Sequence, residues 1–465
     1  MLTQYDKIGK VKPLLAVAMA VSLTAGLTAC GGNNEPSQQS NGAASPSASN
    51  AATESASPVE QAKLTVVGNG WDDASMEKSE ADAKEAGIEV SDYNYLARKK
   101  VEADYPNYEV DWQNWGWAEQ LDQKQRAAFI SGSYPDIVHG ETFMTTYARE
   151  GILEPLPQDI VDMVNPNFLV TNADGVPVAV SPKGNVFLLF YNKDLLKDAG
   201  IDPETVKLDT WADWQAASDQ VTAAGNGKVF GGGIPSHPHL GGAFRVYPFL
   251  NALGGSWGGG DEVTLNTPEM AQTLEFVRAM DKNFPKGIGN GTDEGALYNM
   301  FEKDKTIAFV VNGTWQAAGA KNNNINYGVV QLPKADNGQS GNVLVGFDYY
   351  GVPAKSTNKE AAFNVIRDLV AKDVQIEFAI GTVTPPANKE ALAEASVIDS
   401  NPILKSAIDA MSSGEIPALP VYDQNDSQIW DVINTKVIAA TTMTSKSVED
   451  ILKIGQSEAE KYLKQ

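Results

Sequence analysis

The chain has 465 residues, with 36 Lys and Arg against 59 Asp and Glu, a formal net charge of −23. Such an acidic surface repels phosphate backbones and anionic headgroups, which excludes nucleic-acid binding and electrostatic docking to membranes. The single cysteine, Cys30, cannot form an internal disulfide, and the length exceeds what one core of about 300 residues holds, so more than one domain is expected.

In chain order, Lys7, Lys10 and Lys12 precede a charge-free apolar run, Leu14 to Leu23, and small residues lead to Leu27-Thr28-Ala29-Cys30. The run is shorter than the about 20 residues of a membrane span, and its flanks suit a cleaved export signal. The four-residue end resembles a bacterial lipoprotein lipobox, where cleavage falls before the cysteine and the thiol takes a lipid such as palmitate. That resemblance implies a signal peptide over 1–29, lipidation at Cys30 and a place on the extracytoplasmic face of the cell membrane. Residues 31–62 are rich in Gly, Ser, Ala, Asn and Pro and hold no aromatic residue. They bury too little to offset chain entropy, so 30–62 reads as a lipidated cysteine on a flexible linker.

Beyond the linker, strand and helix signals alternate. Leu64–Val67 is an apolar β run ending at Gly68-Asn69-Gly70, Tyr93–Ala103 reads as a helix, and Tyr108–Trp112 as the next strand. Gln120–Ile130 reads as helix and Asp136–Val138 as strand. Val186–Tyr191 and Ile307–Val311 are continuous apolar runs, the pattern of buried parallel strands. Thr210-Trp211-Ala212-Asp213 has capping-box spacing, Thr267-Pro268 a cap with a first-turn proline, and Asn358 precedes an amphipathic helix. This alternation predicts an α/β architecture with open sheets, whose ligands bind beyond the carboxyl ends of the strands.

Several segments then fall in a familiar order. They are Pro135-Asp136-Ile137-Val138 with Tyr147 to Leu153, Tyr191-Asn192-Lys193-Asp194-Leu195-Leu196, Thr210 to Trp214, Leu253-Gly254-Gly255, Val311-Asn312-Gly313-Thr314-Trp315, and Pro353 to Glu360 with Thr384-Pro385-Pro386-Ala387. Together they resemble the extracellular solute-binding proteins of ABC importers, in the sugar-binding group that includes maltose-binding protein. The resemblance implies two open α/β lobes (the type II arrangement) joined by hinge strands, with ligand enclosed between them. Lobe 1 is expected at 63–180 with 350–392, and lobe 2 at 181–349 with 393–465. It also implies a monomer that hands a carbohydrate, most simply a neutral oligosaccharide, to the transmembrane permease subunits of an importer. No cofactor or resident metal is expected. The segment 73–90 is longer than the family's usual link and is either a device that lengthens or covers the site or an idle acidic loop.

A sugar presents flat C–H faces and a rim of hydroxyls, so its site needs aromatic platforms and paired polar groups. Trp71 and Asp72 follow the first strand and its glycines, and His139 and Glu141 follow another strand. The resemblance places Trp315 and Trp430 at sugar-stacking positions and Phe244 with Arg245 beside an aromatic contact. Asp348 and Tyr349 lie on the return strand toward the hinge. Trp112, Trp115 and Trp117 admit core and rim readings equally, whereas Trp211 and Trp214 read as helix packing. Arg245 or Lys183 would pair with an acidic sugar, and Asp72, Glu141 and Asp348 with a polyamine or peptide. An exported glycoside hydrolase would need two flanking carboxylates, too easily invented among so many acids. There is no His-Glu-x-x-His pair, and His237-Pro238-His239 is a poor start for a metal site because Pro238 restricts it.

Overall fold

The computed structural model describes residues 61–464 apart from 142, 340, 342, 343, 346, 347, 413–418 and 423. The export signal, Cys30 and the linker before residue 61 lie outside the described residues. The described strands are β1 (Ala62–Gly68), β2 (Tyr108–Asn114), β3 (Val138–Gly140), β4 (Leu169–Thr171), β5 (Pro177–Val180), β6 (Asn185–Asn192), β7 (Gly258–Gly259), β8 (Glu262–Val263), β9 (Phe309–Gly313), β10 (Tyr327–Gln331), β11 (Leu344–Val345) and β12 (Tyr349–Gly351).

Strands β1 and β2 run parallel, from Ala62 opposite Tyr108 to Gly68 opposite Asn114. A parallel bridge from Val66 to Ile137 joins them to the start of β3, which continues in the order β3-β12-β5-β4. The second sheet is built on β6, which pairs with β10, β11 and β9. The chain therefore passes from one sheet to the other between β5 and β6 and returns between β11 and β12. A third segment lies against the first passage: Gly184 N–H donates to the Pro385 carbonyl at 2.9 Å and Ala387 N–H to the Pro182 carbonyl at 3.2 Å.

Strand β6 shows how a continuous apolar run is used. Successive side chains point to opposite faces. Phe187, Leu189 and Tyr191 enter one core with Trp214, Phe249 and Val311. Val186, Leu188 and Phe190 enter another with Phe301, Val310 and Ile366. The expectation of parallel strands fails here, because β6 and β9 pair antiparallel, Phe187 opposite Gly313 and Tyr191 opposite Phe309. A run apolar on both faces reports burial on both sides, and direction is set by the connections, which the pattern does not encode.

The helix signals are seen as expected at their starts. The Thr210 hydroxyl accepts from Asp213 N–H while the Asp213 carboxylate accepts from Thr210 N–H, a complete capping box. The Thr267 hydroxyl accepts from Met270 N–H at the start of Pro268–Asp281. The segment after Trp71 is not a loop: Asp73–Ala86 is a helix, rich in Ala, Glu and Lys, which lose little on becoming helical. Gly87 closes it at φ 67°, with its N–H and that of Ile88 turned back on the last carbonyls. Arg98 ties its start to the next helix, with its guanidinium on Asp73 at 2.6 Å and on the Trp71 carbonyl at 3.1 Å.

Asp368 is a buried weak point in this half. It sits in the helix Lys359–Leu369, and its Oδ2 has no hydrogen-bond partner among the described residues. Burial pushes its carboxyl up to about 7, with Asp104 adding to the shift and Lys100 opposing it. A carboxyl raised on folding stabilises the protein below its unfolded value near 4, and that stability is lost as pH rises through 7. Asp368→Asn is therefore expected to gain about 1–2 kcal/mol over wild type at pH 8 and little at pH 4, after allowance for solvent screening. Urea unfolding across that pH range checks it, and parallel profiles for the two proteins would refute it.

Candidate ligand-binding site

In the first half, His139 lies within β3, Glu141 follows the strand, and Asp348 leads into β12, where Tyr349 pairs with Gly140. This antiparallel register brings residues over 200 positions apart into contact. His139 Nε2 donates to Asp348 Oδ1 at 3.1 Å, and Lys183 Nζ lies 2.8 Å from Asp348 Oδ2. Lys183 belongs to the passage between β5 and β6, so one carboxylate links both passages between the sheets. Its ammonium also lies over the rings of Tyr93, 5.5 Å, and Phe378, 5.8 Å. Burial pushes the Asp348 carboxyl up, but Lys183 and His139 outweigh it and hold it well below the usual carboxylate range. Glu141 is buried without such help: burial pushes it up to about 8, and Asp348 and Glu294 add to the shift.

In the second half, Arg245 is buried in the helix Leu240–Ala252. It donates to the Gly241 carbonyl at 2.6 Å and Asn312 Oδ1 at 3.0 Å, and lies 3.2 Å from Glu294 Oε2. Asn312 donates to Gln316 Oε1 at 2.7 Å, and Gln316 to Glu302 Oε1 at 2.5 Å. These amides flank Trp315, which starts the helix Gln316–Asn322 and meets Phe187 edge-on at 5.8 Å. Trp315 remains 37 % exposed. A methyl group on Gly313 would stand 1.8 Å from the Trp315 ring. Gly313→Ala should therefore turn the indole off its rest. Its expected result is a shifted Trp315 fluorescence and weaker ligand binding, with the fold retained by circular dichroism.

Trp117, immediately before the helix Ala118–Ser131, is the counterpart in the first half. It is 38 % exposed, with its ring 5.5 Å from that of His139. Each half-exposed indole thus borders a charged cluster: Trp117 that of His139 and Asp348, and Trp315, through Phe187, that of Arg245. Asp348 and Glu294 both act electrostatically on Glu141.

Of the residues expected from sequence, the structure pairs His139 with Asp348, beside Glu141 and Tyr349 in the chain, and sets Arg245 and Trp315 against Phe187 in the other half. Burial pushes the Tyr349 phenol up to about 12. It turns the others elsewhere. Trp71 is fully buried, stacked on Trp112 at 5.0 Å and edge-on to Tyr350 and Tyr93. Asp72 is the N-cap of the helix after Trp71 and accepts from the Ser75 hydroxyl. Phe244 lies in the core around Phe249, and Trp430 packs edge-on against Trp257 at 5.6 Å and against Tyr422. Trp117 was visible in the sequence but no spacing favoured it over Trp112 and Trp115. Glu294, Asn312 and Gln316 carry no signal alone, because their role comes from Arg245. The rings of His237 and His239 stack at 5.3 Å, and burial pushes His237 down to about 4 while its Nδ1 donates to the Gly291 carbonyl. Among the described residues no group of three or more His, Cys, Asp or Glu is arranged to hold a metal, and no helix is long and apolar enough to cross a membrane.

Residues 86–376, more than half of the chain, match the family described as bacterial extracellular solute-binding protein. A galactooligosaccharide-binding protein of Bacillus subtilis is 29% identical over 190 residues, 40% of this chain and 43% of that protein. A maltooligosaccharide ABC transporter solute-binding lipoprotein of Streptococcus pneumoniae is 27% identical over 271 residues, 57% of this chain and 60% of the other. A solved solute-binding protein of Thermotoga lettingae, bound with α-D-tagatose, superposes with a TM-score of 0.69 at 21% identity, covering 87% of this chain and all of that one. The fold is thus the two-lobed α/β one that the sequence implied, and the chain belongs to the bacterial extracellular solute-binding proteins.

Proposed function

We propose that this chain captures an oligosaccharide between its two lobes and delivers it to the transmembrane permease of an ABC importer, without catalysing a reaction on it. The observation that carries the reading is the pair of half-exposed indoles, Trp117 and Trp315, each bordering buried polar groups in its own half. Indoles offer flat apolar faces to sugar C–H surfaces. Glu141, Arg245, Asn312 and Asp348 offer donors and acceptors to the hydroxyl rim. The names of the Bacillus and Streptococcus relatives support an oligosaccharide.

The lobes on this reading are 63–180 with 350–392 and 181–349 with 393–465. Their closure buries ligand, as hinge closure does in binding proteins generally. The ligand set is Trp117, His139, Glu141, Arg245, Trp315, Asp348 and Tyr349. Cys30 carries lipid, and the residues after it tether the monomer beside its permease on the outer face of the membrane. Capture there does not depend on diffusion through the medium.

Titrating intrinsic tryptophan fluorescence of the chain with maltotriose, a galactooligosaccharide, a uronate oligomer and spermidine tests the reading. Saturable quenching by a neutral oligosaccharide, with the sugar recovered uncut, is the expected result. Tight spermidine binding with no response to any sugar would overturn it, and cleaved sugar would make the protein a hydrolase.

A further inference from the structure

One hydrogen-bonded chain in the second half starts and ends on the same helix, Glu294–Glu302. At its start, Glu294 Oε2 lies 3.2 Å from Arg245 and accepts from the Tyr298 hydroxyl at 3.1 Å. Arg245 donates to Asn312 Oδ1 at 3.0 Å, Asn312 to Gln316 Oε1 at 2.7 Å, and Gln316 to Glu302 Oε1 at 2.5 Å. The chain thus crosses the helix Leu240–Ala252, the end of β9 and the first residue of the helix Gln316–Asn322 before it returns. Arg245, Asn312 and Gln316 are buried. Glu302 is half-buried and stands outside the ligand set.

The two ends fix the direction of the middle. An amide carries a donor and an acceptor of nearly equal shape, so its partners decide which way it faces. A guanidinium only donates, and an ionised carboxylate only accepts. With Arg245 at one end and Glu302 at the other, the Asn312 and Gln316 amides have one consistent orientation, with every N–H pointing toward Glu302. Without the carboxylate, the Gln316 N–H is left in a buried place with no acceptor, and the bonds behind it lose the polarisation that it passes on. These two amides flank Trp315 in the chain, and the Arg245 guanidinium lies 5.8 Å over Phe187, the ring on which Trp315 rests. A negative side chain is disfavoured at a helix C-terminus, so its own helix does not account for Glu302. Gly319 makes room for it: a methyl group there would stand 2.0 Å from Glu302 Oε1. We propose that Glu302 is a positioning residue of the binding site, whose carboxylate sets the direction of the amide chain and through it the seat of Arg245 and Trp315. This deepens the sugar-binding reading and rests on it for what the site holds.

The test takes the full chain with fluorinated tryptophan, in which the Trp315 fluorine resonance is the one of nine missing from Trp315→Phe. Without ligand, Glu302→Met, which keeps the length and loses the acceptor, is expected to shift that resonance. Gly319→Ala is expected to shift it likewise, because the added methyl displaces the flexible end of Glu302 and leaves the backbone in place. Glu302→Gln still offers a carbonyl oxygen and should hold the resonance near its wild-type position. In calorimetric titration with maltotriose, Glu302→Met and Gly319→Ala should raise Kd about tenfold, and Glu302→Gln should raise it less. In an Asn312→Leu background, Glu302→Met should add nothing, since the chain is already cut. A resonance that neither Glu302→Met nor Gly319→Ala moves overturns the proposal. Equal shifts from the Met and Gln variants also overturn it, and make Glu302 a packing residue. Should Glu302→Met not fold, Gly319→Ala against wild type decides the matter. The fluorine spectra need no ligand. Failure of every sugar to bind wild type would therefore count against the functional reading, while the link from Glu302 to Trp315 is decided by the spectra.

Discussion

Replacing Trp315 with alanine is expected to weaken oligosaccharide binding by about 1–3 kcal/mol, roughly 5- to 150-fold in Kd. The reasoning is geometric. The indole is held edge-on against Phe187 from behind and flanked by the Asn312–Gln316 amide pair, so it keeps its orientation with ligand absent. Its remaining surface, 37 % exposed, is available to a sugar face. Little ordering entropy is then charged to binding. Trp117→Ala is expected to cost a similar amount, because its exposure is the same and its support is the ring of His139. If the two indoles hold the same ligand from opposite lobes, the double variant should lose more than either single one. Calorimetric titration of the three variants with maltotriose reads this directly. Unchanged affinity in Trp315→Ala removes that residue from the site, and unchanged affinity in both removes the carrying observation.

The second large effect concerns stability. Lys183→Met leaves the Asp348 carboxylate buried without its permanent cation, and breaking a buried pair from one side costs about 3–5 kcal/mol. Asp348 is tied to both passages between the lobes, so the loss should appear as lower urea resistance and as a change in the lobe equilibrium. The pH dependence has a definite sign. Asp348 is held well below its ordinary range on folding, so its contribution is present above an unfolded value near 4 and is lost as pH falls further. Wild type should therefore lose this stability in acid, whereas Lys183→Met should show less of the loss, having less to lose. Adding Asp348→Leu to Lys183→Met is expected to recover much of the stability, because an apolar pair no longer buries an unpaired charge. A double variant as unstable as the single one would mean that Lys183 contributes through its packing on Tyr93 and Phe378 instead.

Much of this molecule is written in local pattern. Capping residues at Thr210 and Thr267 set helix starts because they satisfy backbone donors within three residues of themselves. The apolar run of β6 announces a strand buried on both faces. Arg245 and Trp315 were legible because their neighbours in the chain resemble a family motif. Trp71, Trp117 and Trp430 show where that reading stops. Trp71 follows a strand, Trp117 precedes a helix and Trp430 lies within the short helix Asp426–Asp431. Trp71 meets Trp112 and Tyr350, Trp430 meets Trp257 and Tyr422, and the half-exposed Trp117 has its ring beside that of His139. The burying partners Trp112, Tyr350 and Trp257 come from distant parts of the chain, which a local window of sequence does not contain.

The sequence by itself determined the acidic surface, the α/β alternation, the helix starts at Thr210 and Thr267 and the family, because these follow from composition, periodicity and short motifs. Only the tertiary structure decided the antiparallel pairing of β6 with β9, the half-exposed position of Trp117 and the pairing of Lys183 with Asp348 and of Arg245 with Glu294. Charge balance in a site is a sum over groups that the fold assembles from separate segments. Lys183, Glu141, Arg245, Glu294 and Asp348 come from five of them, and their protonation depends on a proximity that exists only once the chain has folded.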